Sequence, residues 1–189
     1  MIKGFFRRKA DAVLGIDIND AGVKLVELEV SGNGYSVRGY AMQPLPAHAV
    51  VDSSVVDFDA VAQALSRALA QVHTSLRQAA VAVAGPSVIT RVLEMDAGLT
   101  DAEMVQRIHG EADQYIPYPL EDVAIDFQVQ GPSAHDSQSV DVLLVACLKE
   151  QVEAREAVLA LAGLATRIVD VEAFALARVG RQASDSITP

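Results

Sequence analysis

Leu14-Gly-Ile-Asp-Ile-Asn-Asp-Ala-Gly-Val-Lys-Leu-Val-Glu-Leu28 reads as two strands joined by a short polar turn. Val26, Leu28 and Val30 alternate with Glu27 and Glu29, a period of two that belongs to a strand, so the segment after the turn does not open a helix. This excludes a Rossmann or Walker glycine loop, because both hold phosphate on the N–H groups and dipole of a helix that follows the loop. Two readings of the turn stand side by side. In one, Asn19, Asp20, Ala21 and Gly22 offer backbone N–H groups to a phosphate, Lys24 adds a point charge, and Asp17 faces Mg²⁺ through water. In the other, the stretch is an ordinary hairpin whose turn needs Gly22 for its backbone angles. Asp20 would repel a phosphate unless a metal or an N–H intervenes, so its natural role is to cap the turn.

Composition narrows the function classes. The chain has 189 residues, 51% of them hydrophobic, which is enough for one large domain or two small ones with a filled core. Its net charge of -10, from 15 Lys and Arg against 25 Asp and Glu, argues against a nucleic-acid partner, which requires a basic stripe along the phosphates. The basic cluster Met1-Ile-Lys-Gly-Phe-Phe-Arg-Arg-Lys9 lacks the apolar region and cleavage site of a signal peptide. Its Phe5 and Phe6 are expected to tuck onto the domain, with contact to anionic lipid as the other reading. No run approaches the roughly 18 apolar residues of a spanning helix, so the expected location is the cytosol. Cys147 lies inside the apolar run Val140 to Leu148 and reads as a small buried hydrophobe. His48, His73, His109 and His135 show no paired spacing and no cysteine partner, which speaks against zinc. No Ser or Cys nucleophile motif is present.

Strands and helices alternate along the chain, predicting an α/β fold with mixed sheets. Ala12 to Ile18, Val23 to Val30 and Tyr35 to Ala41 form an antiparallel meander, the last two joined by Ser31-Gly-Asn-Gly34. Phe58, Val61, Leu65, Leu69, Val72 and Leu76 recur at helical spacing behind Asp57, a candidate N-cap. Val81 to Ala84 and Val88 to Glu94 are strands separated by Gly85-Pro86, and Thr100-Asp-Ala-Glu103 has the form of a capping box. The helix that starts there is expected to reach Ile116, where Pro117 stops it. Ile125, Phe127 and Val129 mark a half-exposed strand, Gly131 to Ser139 a polar loop, and Val140 to Leu148 a strand buried on both faces. Lys149 to Ala162 is helical with Gly163 placed to end it, and Thr166 to Val171 is a last strand leading into a helix near Glu172.

Several of these stretches resemble the PilM family, the cytoplasmic actin-like proteins of type IV pilus assembly. They are Leu14-Gly-Ile-Asp-Ile18, Pro44-Leu-Pro46, Ala80-Val-Ala-Val-Ala-Gly85, Ala162-Gly-Leu164 and Val169-Asp-Val-Glu172. The family-specific part is Glu111-Ala-Asp-Gln-Tyr-Ile-Pro-Tyr-Pro-Leu-Glu-Asp-Val-Ala-Ile-Asp-Phe127. The resemblance covers residues 1 to 178 and implies the N-terminal half of an actin-like ATPase domain with the FtsA-like subdomain arrangement. Residues 1–84 and 165–178 would form the nucleotide-facing subdomain, 85–164 an inserted smaller one, and 179–189 a disordered tail.

The family's cofactors are ATP and Mg²⁺. Asp17 and Lys24 match the acid and lysine of the superfamily's first phosphate loop, and Glu172 resembles the acid that orients attacking water; a plain helix-start carboxylate is the other reading of Glu172. The family's partner is the cytoplasmic N-terminal tail of the inner-membrane protein PilN, bound in a groove between the two subdomains, which would place this chain peripherally at the inner membrane. Tyr115, Ile116 and Tyr118 are the candidate partner-binding residues, with core packing as the alternative for Ile116.

After Arg178 the family likeness ends, so the chain is expected to be a truncated product holding one wall of the ATP site. It should bind Mg-ATP weakly, lack turnover of its own, and self-associate through Phe174, Leu176 and Val179. Two other readings are a sugar-kinase-like phosphotransferase of the same superfamily and a non-functional fragment. Between Ala84 and Val140 there is no paired acid and polar sugar cradle, which weighs against the kinase.

Overall fold

The computed structural model describes residues 12–31, 34–85 and 88–185. The basic start with Phe5 and Phe6, the Gly32-Asn33 turn, Pro86 and the last four residues lie outside them. In chain order the elements are β1 (Leu14–Asn19), β2 (Gly22–Ser31), β3 (Gly34–Pro44), β4 (Val50–Val51), β5 (Ser54–Val55), α1 (Phe58–Val72), β6 (Gln78–Val83) and β7 (Ile89–Asp96). There follow α2 (Asp101–Glu111), two 3₁₀ turns (Ala112–Gln114 and Leu120–Asp122), β8 (Val123–Pro132), β9 (Ser139–Leu148), α3 (Lys149–Leu161), β10 (Ala165–Val171) and α4 (Glu172–Asp185). The mixed α/β class is as the alternation of periods implied.

The chain divides into two compact units, residues 1–83 with 154–189, and residues 84–153. The first is built on a five-stranded sheet in the order β10-β6-β1-β2-β3. β1, β2 and β3 run antiparallel as the expected meander, while β6 and β10 add in parallel to β1. Period-two alternation puts Leu14, Ile16, Ile18, Val23 and Leu25 on one face, where they meet Val61, Leu65 and Ala68 of α1 and Val158 and Leu159 of α3. Asp57 caps α1 as expected, its carboxylate accepting from the Ala60 N–H at 2.9 Å. α1 stops at Val72 and not at Leu76, because His73 turns left-handed (φ 54°) and its N–H closes on the Leu69 carbonyl. The hairpin β4–β5, unmarked in the sequence, turns through Asp52 and Ser53 at φ 47° and 65° and seats Val50 and Val55 in the same core.

The second unit is a three-stranded antiparallel sheet, β7-β9-β8. Met104 and Ile108 of α2 pack on Leu93, Met95, Val142 and Leu144. Thr100 and Glu103 form the expected capping box. Its hydrogen bonds from Thr100 hold the Glu103 carboxyl below the usual carboxylate range.

Four expectations need correction. The boundary of the insertion falls at 153 and not at 164, because α3 begins in the second unit while its Val158 and Leu159, with Leu164 beyond it, lie in the core of the first. β9 alternates buried with half-covered positions and is not buried on both faces: α2 covers one side only. α2 ends at Glu111, tightening into a 3₁₀ turn before Pro117. The expected disordered tail is helical as far as Asp185, α4 being amphipathic and joined to β10 by the ion pair of Arg178 with Asp170.

Candidate functional site

β1 and β2 place the candidate phosphate residues by register. Asp17 stands opposite Lys24 and Asn19 opposite Gly22, so the two-residue loop Asp20-Ala21 leaves the acid and the lysine side by side. The Lys24 Nζ donates to Asp17 Oδ2 at 2.8 Å, and the Asn19 side-chain amide donates to the same oxygen at 3.0 Å. The Asp17 carboxylate holds the Lys24 ammonium above its ordinary value, with a smaller push in the same direction from Glu172. This pair contributes fully below the ordinary lysine value and is lost as pH rises through the raised one. Since the two side chains are 38% and 44% exposed, solvent screening limits it to about 1 kcal/mol or less.

Asn19 decides what the turn can do. Its Oδ1 accepts from the Ala21 N–H at 3.0 Å and the Gly22 N–H at 3.2 Å, so the two donors read as phosphate ligands already carry a side-chain oxygen. A phosphate seated there has to displace Asn19, and it then meets Lys24 already paired to Asp17. Asp20 and Ala21 are exposed at the turn. Neither takes a left-handed φ, nor does Gly22. Glycine is needed at 22 for a different reason from the one expected: a Cβ there would lie 2.5 Å from the Gln43 carbonyl oxygen on β3. Gly22 serves close packing of strands.

Glu172 opens α4 directly after β10, and β1, β6 and β10 are parallel, so Asp17 and Glu172 belong to the same C-terminal edge of the sheet. That edge is where open α/β sheets bind ligands. Sequence reasoning missed two neighbours: Met42, opposite Lys24, and Tyr40, opposite Val26. Among the described residues no group of three His, Cys, Asp or Glu side chains is gathered that could hold a metal ion. Asp17 would therefore have to face Mg²⁺ with phosphate oxygens and water completing the shell.

The candidate partner-binding residues separate into two kinds. Ile116 is 3% exposed and packs with Ala112, Val123 and Ala146, which removes it as a surface anchor and makes it core. Tyr115 and Tyr118 are half-buried, their rings lying against the apolar cluster around Ile116. Tyr115 closes a turn and Pro117-Tyr118 form a bend, and Pro117 and Pro119 each fix their own φ, so the two rings are carried on a stiff segment.

The family model of the type IV pilus assembly protein PilM matches residues 15–188, so the likeness runs past Arg178, where it was expected to end. Among solved structures, the PilM–PilN type IV pilus biogenesis complex is similar at 30% identity and a TM-score of 0.77, over 87% of this chain and 48% of that one. This chain thus spans about half the length of that relative. The cytoplasmic domain of EpsL, an inner-membrane component of the type II secretion system of Vibrio cholerae, shares the fold at 14% identity and a TM-score of 0.52, over 84% of this chain and 56% of that one. None of the helices in the described residues is long and apolar enough to cross a membrane.

Proposed function

The chain belongs to the family of the type IV pilus assembly protein PilM, and from that membership we propose that it is a scaffold of the pilus assembly platform that binds the cytoplasmic N-terminal tail of PilN. One observation carries the reading: the 30% identical structural relative, matched over 87% of this chain, is a PilM–PilN complex. The stiff Tyr115-Ile-Pro-Tyr-Pro119 segment supports it, since half-buried tyrosines offer a peptide both an apolar face and a hydroxyl at little entropic cost. PilN would in turn hold the chain at the inner membrane. A peptide copying the tail is expected to bind the 189-residue chain in calorimetry. Tyr118→Asp should raise Kd at least tenfold, about 1.4 kcal/mol, while circular dichroism stays unchanged. An unaltered affinity in a folded variant overturns the assignment of this segment.

Nucleotide binding is the second part of the proposal. Asp17, Asn19, Asp20, Ala21, Gly22 and Lys24 would form one wall of a Mg-ATP site, with Glu172 at the same sheet edge. Because Asn19 occupies the turn donors, binding should be weak and turnover absent. Titration of Mg-ATP into the chain is expected to show a Kd above about 100 µM. Micromolar binding would show that Asn19 yields easily and that the turn is a working phosphate site.

A further inference from the structure

We propose that β3 is a self-association surface, through which two copies of this chain pair their β3 strands antiparallel into one continuous sheet. Among the described residues β3 ends the five-stranded sheet, so one side of it carries peptide groups with no neighbouring described strand. α1 packs on the face bearing Val23, Leu25 and Ala41. On the opposite face the register brings Val26 to Tyr40, Leu28 to Val37 and Val30 to Tyr35.

A one-residue bulge at Arg38 governs the pattern. The register slips between Glu27 and Leu28, so the alternation along β3 is inverted there. As a result Tyr35, Val37, Tyr40 and Met42 all lie on the face away from α1, exposed by 63%, 65%, 56% and 46%. Their spacing is palindromic about the Arg38–Gly39 bond. A two-fold axis at that bond sets Tyr35 against the partner's Met42 and Val37 against the partner's Tyr40, and the reverse pairs follow by symmetry. Sliding the register by one residue in either direction sets these side chains against Gly34, Ser36, Arg38, Gly39, Ala41 or Gln43, which face the other way.

Charge on the α1 side fits the same axis. Arg38 reaches Glu27 at 3.6 Å and Glu29 at 3.8 Å within its own chain. Across the axis it stands in the row of the partner's Gly39, whose neighbour on the next strand is the partner's Glu27. Pairing therefore brings a second guanidinium toward each Glu27, over the Val72 side chain of α1 that packs on Gly39, whereas an unrelated strand has no reason to supply this complement.

Sedimentation velocity of the full chain from about 1 to about 200 µM is expected to show a monomer–dimer equilibrium. Val37→Lys, at an exposed position outside the core, should raise the dissociation constant at least tenfold with unchanged circular dichroism. A Val37→Cys, Tyr40→Cys double variant should form a covalent dimer on oxidation, because directly opposed Cβ atoms lie about 4.5–5.5 Å apart and a small strand shift brings them within the roughly 3.5–4.5 Å a disulfide spans; Val37→Cys alone should not. A monomer at every concentration overturns the proposal. So does a dimer that Val37→Lys leaves intact and Leu176→Ser with Val179→Ser disperses, which would assign association to α4.

Discussion

Arg155→Met is expected to lower the stability of the chain by about 3 kcal/mol or more, the largest effect of any single substitution outside the apolar core. Arg155 is 1% exposed, and its guanidinium donates to the Ala82 carbonyl at 2.7 Å and the Ser53 carbonyl at 2.9 Å. A carbonyl held away from water and stripped of its donor costs about 1–3 kcal/mol, and this substitution strips two, both part-buried. The loss extends past the hydrogen bonds. Asp52 and Ser53 both hold left-handed φ, a conformation that non-glycine residues keep only when surrounding contacts fix it, and Arg155 supplies one of those contacts. Arg155→Lys should recover little, since one ammonium on a flexible stem cannot span the two carbonyls as the planar fork does. Urea unfolding followed by circular dichroism measures both variants. A loss below about 1 kcal/mol for Arg155→Met would mean that water replaces the guanidinium and that the β4–β5 turn holds itself.

Periodic features of this fold were open to reading and non-local ones were not. Alternation in Leu14 to Val30 fixes two strands and their buried face, and Thr100-Asp-Ala-Glu103 fixes the start of α2, because each depends on neighbours within four residues. The β4–β5 hairpin has two-residue strands, too short for any period to show. The boundary at 153 was missed because α3 buries one stripe, polar Gln151 and Arg155 with apolar Val158 and Leu159, against a core built mostly from residues 14 to 81, a fact about partners and not about the helix. One signal was available: Gln151, Arg155 and Val158 share a helical stripe at i, i+4 and i+7, so a buried arginine could have been suspected from its apolar neighbour. At the phosphate turn the residue types were legible and their bonding was not. Asn19 can accept from its own turn or leave those donors to a ligand, and sequence spacing is the same in both cases.

Gly22→Ala is expected to destabilise the chain by about 2 kcal/mol, and Gly110→Ala to stabilise it by about 0.5–1 kcal/mol. The two glycines differ in what surrounds them. At Gly22 the added carbon would meet the Gln43 carbonyl oxygen at 2.5 Å, the Gln43 carbonyl carbon at 3.2 Å and the Pro44 Cα at 3.3 Å, all backbone atoms of β3 that no rotamer change can move. Relief requires β2 and β3 to part at that end, where Gly22 faces Pro44 and Val23 faces Gln43, and the strain passes through Asn19 and Lys24 to Asp17. At Gly110 nothing lies within 4 Å of the new carbon, and the position is inside α2, so alanine there only removes conformational freedom from the unfolded chain. Comparing the two by urea midpoint separates close strand approach from any general intolerance of alanine. If Gly22→Ala unfolds at the wild-type midpoint, the β2–β3 ladder is loose enough at this end to open by several tenths of an ångström, and the pairing that sets Lys24 beside Asp17 is not held by the sheet but by the ion pair itself.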